Sequence, residues 1–191
     1  VFIGEAPGGS ENICGEPFVG PAGIHLQKYV IQKAIPHNRL VDPTTKRERW
    51  VPTGPIKYIL TNLVGCIPLD DTGRKEGAPD HEDILQCAPR LLELLAIVKP
   101  KLIVCVGHES TIAMDTWMKN SVWSKWAGSS KHPSYDVPRV TITHPAEIIR
   151  QNIANQGLRF QECALIIEQA IEEYVLNPDP PKRHSTEDIP F

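Results

Sequence analysis

Four short runs of apolar and β-branched residues recur along this 191-residue chain, and none alternates cleanly with polar residues. They are VFIG (1–4), KYILTNLVGC (57–66), KLIVCVG (101–107) and RVTITH (139–144). A strand with one wet face alternates, whereas a run that does not is covered on both faces. Helical patterns lie between the runs. In GPAGIHLQKYVIQKAI (20–35), Ile24, Lys28 or Tyr29, and Ile31 fall a turn apart. In APDHEDILQCAPRLLELLAIVKP (78–100), Ile84, Ala88, Leu91, Leu95 and Val98 form a stripe. Pro79 and Asp80 suit its start, and Pro89 is expected to kink it. A last helix is expected over 157–175, with Phe160, Cys163, Ile167, Ala170 and Tyr174 on one side. Such alternation builds a parallel sheet with helices on both faces, an α/β architecture. Residues 36–56 and 119–138 lack periodicity and read as loops or insertions.

Ligands of open parallel sheets bind beyond the carboxyl ends of the strands. Three segments belong there: GEAPGGSENICGEPFVGPAG (4–23), TNLVGC (61–66) and THPAEIIRQN (143–152). The first holds six glycines and three prolines. Its glycines fit neither the dinucleotide fingerprint nor the phosphate-binding loop that ends in G-K-S/T, and its glutamates suit a pyrophosphate poorly. Phe18 reads as a core residue or as a flat platform for a flat ligand. Asn62 offers one acceptor and two donors, which match the O4 and N3–H edge of uracil, or it satisfies neighbouring backbone. His144 is a structural residue at a strand end or a donor to charge developing on a leaving group. Arg150 is a solvated surface charge or a phosphate contact.

The net charge of −3 argues against coating nucleic acid through bulk charge. Basic clusters nevertheless stand at Lys46, Arg47 and Arg49, at Arg74 and Lys75, and at Lys119, Lys125, Lys131 and His132. Cysteines at 14, 66, 87, 105 and 163 are odd in number, which disfavours a secreted disulfide scaffold. Cys105 and Cys163 read as core. No apolar run is long enough to span a membrane and no secretory signal is visible, so an intracellular protein without membrane contact is expected. The first residue is not Met and already looks like strand, so a longer natural N-terminus is expected. One domain over 1–176 and a proline-rich, disordered tail over 177–191 complete the expected organisation.

The three segments, in that order, resemble those of family 4 uracil-DNA glycosylases. That family's pattern is roughly G-E-x-P-G-x-x-E-x-x-x-G-x-P-F-V-G-x-A-G, then T-N-x-V-K-C, then H-P-A/S-x-x-x-R. IVKPKLIVCVG also looks like its third-strand region, and the resemblance covers nearly all of residues 1–170. It implies a three-layer αβα sandwich with a central four-stranded parallel sheet. The implied activity is flipping deoxyuridine out of single- or double-stranded DNA and hydrolysing its N-glycosidic bond, as a monomer. By the same resemblance, Phe18 would stack on the uracil, Asn62 would read its edge and His144 would stabilise charge at O2. Glu5 and Glu11 would orient water or stabilise the sugar cation, with Glu11 preferred for the water. Gly4, Ala6, Pro7 and Gly8 join the substrate site. Pro7 and Gly8, with Pro145 and Ala146, would lie against the DNA backbone, and Arg150 would meet a phosphate.

Family 4 members commonly hold a 4Fe-4S iron-sulfur cluster on four cysteines. Cys66 and Cys87 match its last two ligands, although the stretch between them is longer than the family's, and the first pair has no counterpart here. The hydrolysis itself requires no cofactor. Gly65 stands where the family usually has Lys, and residues 41–57 look like an insertion. The alternative reading is a catalytically inactive DNA- or partner-binding module on the same fold.

Overall fold

The computed structural model describes residues 1–44, 48–69, 72, 77–119, 137–151, 153–177 and 179, with backbone alone at 48, 49, 118 and 119. Lys46, Arg47, Arg74, Lys75, Lys125, Lys131, His132 and nearly all of the 177–191 tail lie outside the described residues. In chain order the elements begin with β1 (Phe2–Gly4), α1 (Gly9–Cys14), α2 (Pro21–His25), a π-helical stretch (Leu26–Ile31) and α3 (Gln32–Ala34). There follow β2 (His37–Val41), β3 (Glu48–Pro52), β4 (Leu60–Asn62), α4 (His81–Val98), β5 (Ile103–Val106) and α5 (His108–Lys119). The chain continues with β6 (Arg139–Ile142), α6 (Pro145–Arg150), α7 (Ile153–Ile171) and a π-helical end (Glu172–Leu176).

The four expected strands form one parallel sheet in the order β4-β1-β5-β6. Register pairs Gly4 with Asn62, Ile3 with Cys105, and Val106 with Ile142. Successive residues of β1 point to opposite faces. Phe2 joins Val104, Ile142, Leu26, Val30, Phe160 and Ile167 in one core. Ile3 joins Ile103, Cys105, Leu91, Leu95, Met114 and Trp117 in the other. Two cores, one on each face, make the three-layer αβα sandwich.

The sequence expectation holds for the start of α4. Asp80 caps it by accepting from the Asp83 backbone N–H at 2.9 Å, and the chain leaves through Lys99 in a left-handed turn before Pro100. The helix continues through Pro89. Four expectations are corrected. The second strand is only Leu60–Asn62, not 57–66, and the last helix begins at Ile153 rather than 157. Residues 36–56 contain a β-hairpin, β2 paired antiparallel with β3, so backbone pairing there needs no apolar period. In the helix after the glycine segment, Ile24 and Tyr29 are exposed while Leu26, Val30 and Ile31 are buried. The π-helical stretch changes the angle per residue and so displaces the buried stripe. No helix among the described residues is long and apolar enough to cross a membrane.

Candidate active site

The segment after β1 is not all loop, because α1 forms within it. Glu11, in the first turn of α1, accepts from the Gly8 N–H through Oε2 at 3.1 Å and from the Gly20 N–H through Oε1 at 2.7 Å. One carboxylate thus ties together two points of the loop that are twelve residues apart. Hydrogen bonds to charged groups are worth about 1.5–3 kcal/mol each, so losing both with Glu11→Ala is expected to lower the unfolding free energy in urea by about 3 kcal/mol or more. Glu11→Gln keeps one acceptor oxygen and should lose less.

The loop ends by delivering Phe18. Its φ is 57°, in the left-handed region that a bulky residue rarely occupies. Two contacts hold it there. The Gln27 amide donates to the Phe18 carbonyl at 2.8 Å, and Gly23 lies directly against the Phe18 backbone. A Cβ at Gly23 would stand 2.2 Å from the Phe18 carbonyl carbon, so only glycine permits the approach. The Phe18 ring, 7% exposed, belongs to the core cluster and also reaches the carboxyl end of β1. There a Cβ on Gly4 would fall 2.6 Å from Phe18 Cζ and 2.5 Å from Asn62 Oδ1. Gly4 therefore lets the ring and the carboxamide close in over one backbone position.

Asn62 is 8% exposed, and its carboxamide has no hydrogen-bond partner among the described residues. An unpaired buried amide costs about 1–3 kcal/mol, a cost that Asn62 bears without a protein partner among the described residues. Its backbone, by contrast, is tightly held. Arg90 of α4 donates to the Asn62 carbonyl at 2.6 Å, to the Leu63 carbonyl at 3.3 Å and to Thr61 Oγ1 at 3.3 Å. Arg90 also packs over Gly65, where a Cβ would meet its Nε at 3.0 Å. The space beside the expected but missing Lys is thus filled by a cation from another element. A cleft of about 280 Å³ opens on this side of Asn62, between Pro7, Pro17, Thr61 and Arg90.

His144 follows β6 and caps α6. Its Nδ1 accepts from the Ala146 backbone N–H at 3.2 Å, which assigns the ring proton to Nε2. Burial lowers its pKa below the ordinary 6.5, and Arg150 lowers it further against a smaller opposing effect of Glu147. The ring is therefore neutral at physiological pH, with Nε2–H free of any partner among the described residues. It packs over Gly107, at the end of β5. The sheet order places Asn62, Gly4, Gly107 and His144 along one carboxyl edge, with the outermost two about 14 Å apart at three strand spacings. Side chains projecting from both ends shorten that gap.

Glu5 leaves β1 toward the same edge. Its carboxyl is half-buried, and burial, then the neighbouring Glu109, raises its pKa above the ordinary carboxylate value. Unlike Glu11, it makes no side-chain hydrogen bond among the described residues. Ala6 packs against the second core, and Gly8 serves as the N-cap of α1. Pro145 is buried and starts α6, while Ala146 is half-buried and Arg150 exposed. Cys66 and Cys87 are near one another, since Gly65 N–H points at Cys87 Sγ at 3.5 Å. A 4Fe-4S cluster needs four thiolates. No group of three metal-binding side chains occurs among the described residues, so those residues do not fit such a cluster. Cys105 and Cys163 are core, as expected.

Arg90, Gln27 and Glu109 were not expected at the site. Arg90 is 28 residues from Asn62 and stands beside the apolar stripe of α4, and Gln27 is nine residues from Phe18, so no local pattern announces either contact.

The family model described as the uracil DNA glycosylase superfamily matches residues 1–166. A protein named type-4 uracil-DNA glycosylase from Saccharolobus solfataricus is 33% identical over 111 residues, 58% of this chain and 41% of that protein. Its namesake from Archaeoglobus fulgidus is 31% identical over 108 residues, 56% of this chain and 43% of the relative. One from Thermotoga maritima is 28% identical over 146 residues, 71% of this chain and 64% of the relative. The matches thus span less than half the length of the first two relatives. A family model that covers most of the chain, with several relatives all named type-4 uracil-DNA glycosylase, places it: the chain belongs to the uracil DNA glycosylase superfamily.

Proposed function

We propose that this chain flips deoxyuridine out of DNA and hydrolyses its N-glycosidic bond, leaving an abasic site. The observation that carries this reading is the buried, unpartnered Asn62 carboxamide held beside the Phe18 ring through Gly4. Flipping costs a few kcal/mol and is repaid by stacking and edge recognition in a snug pocket. Phe18 stacks on the base, and Asn62 donates to O4 and accepts from N3–H. As the bond from N1 to the sugar breaks, its electron pair moves onto the uracil, and His144 Nε2–H stabilises the charge at O2. Water adds to the sugar carbon and gives its proton to Glu5, whose raised pKa suits a base better than that of a free carboxylate. Glu11 shapes the loop, since both its oxygens are engaged. Gly4, Ala6, Pro7 and Gly8 line the approach, and Ala146 and Arg150 face the DNA backbone.

All these groups come from one chain, so a monomer suffices, acting on intracellular DNA. Cys66 and Cys87 match two of the four ligands of a 4Fe-4S cluster, and no step of the hydrolysis runs through such a group. The test is incubation with single- and double-stranded oligonucleotides holding one uracil, followed by alkali. Strand scission at the uracil is expected. Binding without scission would establish the inactive module instead.

A further inference from the structure

A second surface extends from the base site. Residues 17–41 contain no Asp or Glu, although the chain holds 23 in 191 residues. That acid-free stretch starts at the Phe18 turn, runs along α2 and α3, and ends in β2. Between this helical segment and the β2–β3 hairpin lies a groove of about 690 Å³. Lys28, Lys33 and His37 line it, Trp50 of β3 and Tyr29 stand in it, and no carboxylate does among the described residues. Trp50 is 46% and Tyr29 38% exposed. The Lys28 ammonium lies 5.0 Å from the Tyr29 ring centroid, so cation and ring are presented side by side. The groove wall is also continuous with the base site, because Gln27 lines the groove and bonds the Phe18 carbonyl at 2.8 Å.

We propose that this groove binds the single-stranded nucleic acid that continues from the flipped nucleotide, and the proposal rests on the uracil-excision reading of the neighbouring site. Positive charge that tracks a phosphate chain, with aromatic rings for bases, is the pairing that single-strand binders use without sequence preference. The chain as a whole is acidic, so the strip is a local reversal of its charge. A strand held at Phe18 has to leave the site, and the groove adjoins it through Gln27. Trp50 offers the open stacking face, while Lys28 and Lys33 meet phosphates.

The experiment uses Lys28→Gln with Lys33→Gln, and separately Trp50→Ala. Fluorescence anisotropy follows binding of a uracil-free oligothymidylate across salt concentrations. The double variant should bind about tenfold more weakly, and its slope of log K against log salt should flatten by about 1.4, as two contacts of about 0.7 each are lost. Trp50→Ala should weaken binding about tenfold. Uracil excision is then compared on strands of about four and about sixteen nucleotides, the range of single-strand site sizes. Both variants should lose the KM advantage of the long strand and keep wild-type kcat on the short one. Unchanged affinity and slope would overturn the proposal, as would equal losses on both lengths. Displacement of the oligonucleotide by polyglutamate at equal charge concentration would also overturn it, in favour of an acidic protein partner. A wild-type protein that excises no uracil would sink the proposed activity alone, because the anisotropy measurement still decides the groove.

Discussion

His144→Ala should lower kcat for uracil release by about 100- to 1000-fold, the usual cost of removing one donor to developing negative charge. Binding of a uracil-containing strand should change little, since the donor is needed chiefly as the bond breaks. The pH dependence carries a sign. His144 has its pKa lowered by burial and Arg150, so the neutral ring persists below the ordinary 6.5. Glu5 has its pKa raised by burial and Glu109, so it is still partly protonated where a free carboxylate is not. Activity should therefore fall on the acid side as Glu5 takes a proton. For stability the two groups oppose each other. The unfolded chain protonates His144 near 6.5 while the folded one resists, so this contribution declines as pH drops below 6.5. Folded Glu5 holds its proton to higher pH than the unfolded group does, so its contribution is present in acid and is lost as pH rises through its raised value. His144→Ala should flatten the first of these trends and leave the second. An unchanged rate would remove His144 from the chemistry.

Asn62→Asp should change which base is accepted. The carboxamide donates to O4 and accepts from N3–H, whereas a carboxylate only accepts. It would face uracil O4 with like charge and would instead accept from the N4 amino group of cytosine. Each well-matched pair of bonds to a base edge is worth about 1–3 kcal/mol, so uracil excision should drop about 10- to 100-fold relative to cytosine excision. Competing oligonucleotides with one uracil or one cytosine measure the ratio directly. Arg90 holds the Asn62 backbone through bonds to two carbonyls, so the altered side chain should still sit at the same place in the strand. A ratio that does not move would show that Asn62 reads no base.

Much of this protein is readable before any coordinates. The four strand runs, the N-cap and apolar stripe of α4 and the three loops at one sheet edge all depend on residues close in sequence, through period, capping and turn chemistry. So do Phe18, Asn62 and His144 as candidates, each standing at a strand end or in the loop that follows one. What lay beyond the sequence depends on contacts between distant residues. The resemblance gives Glu11 to the water, whereas the bonds of its two oxygens to Gly8 and Gly20, the latter nine residues away, come only from the fold. The phase of the helix after Phe18 escaped because a π-helical stretch alters its period, and the same shift leaves Tyr29 on the surface. The hairpin came from backbone pairing that its side chains do not advertise. Local rules act within a few residues, whereas the partner of a carboxylate, a carbonyl or a groove wall is chosen by how the layers pack, and packing brings together residues that no short pattern connects.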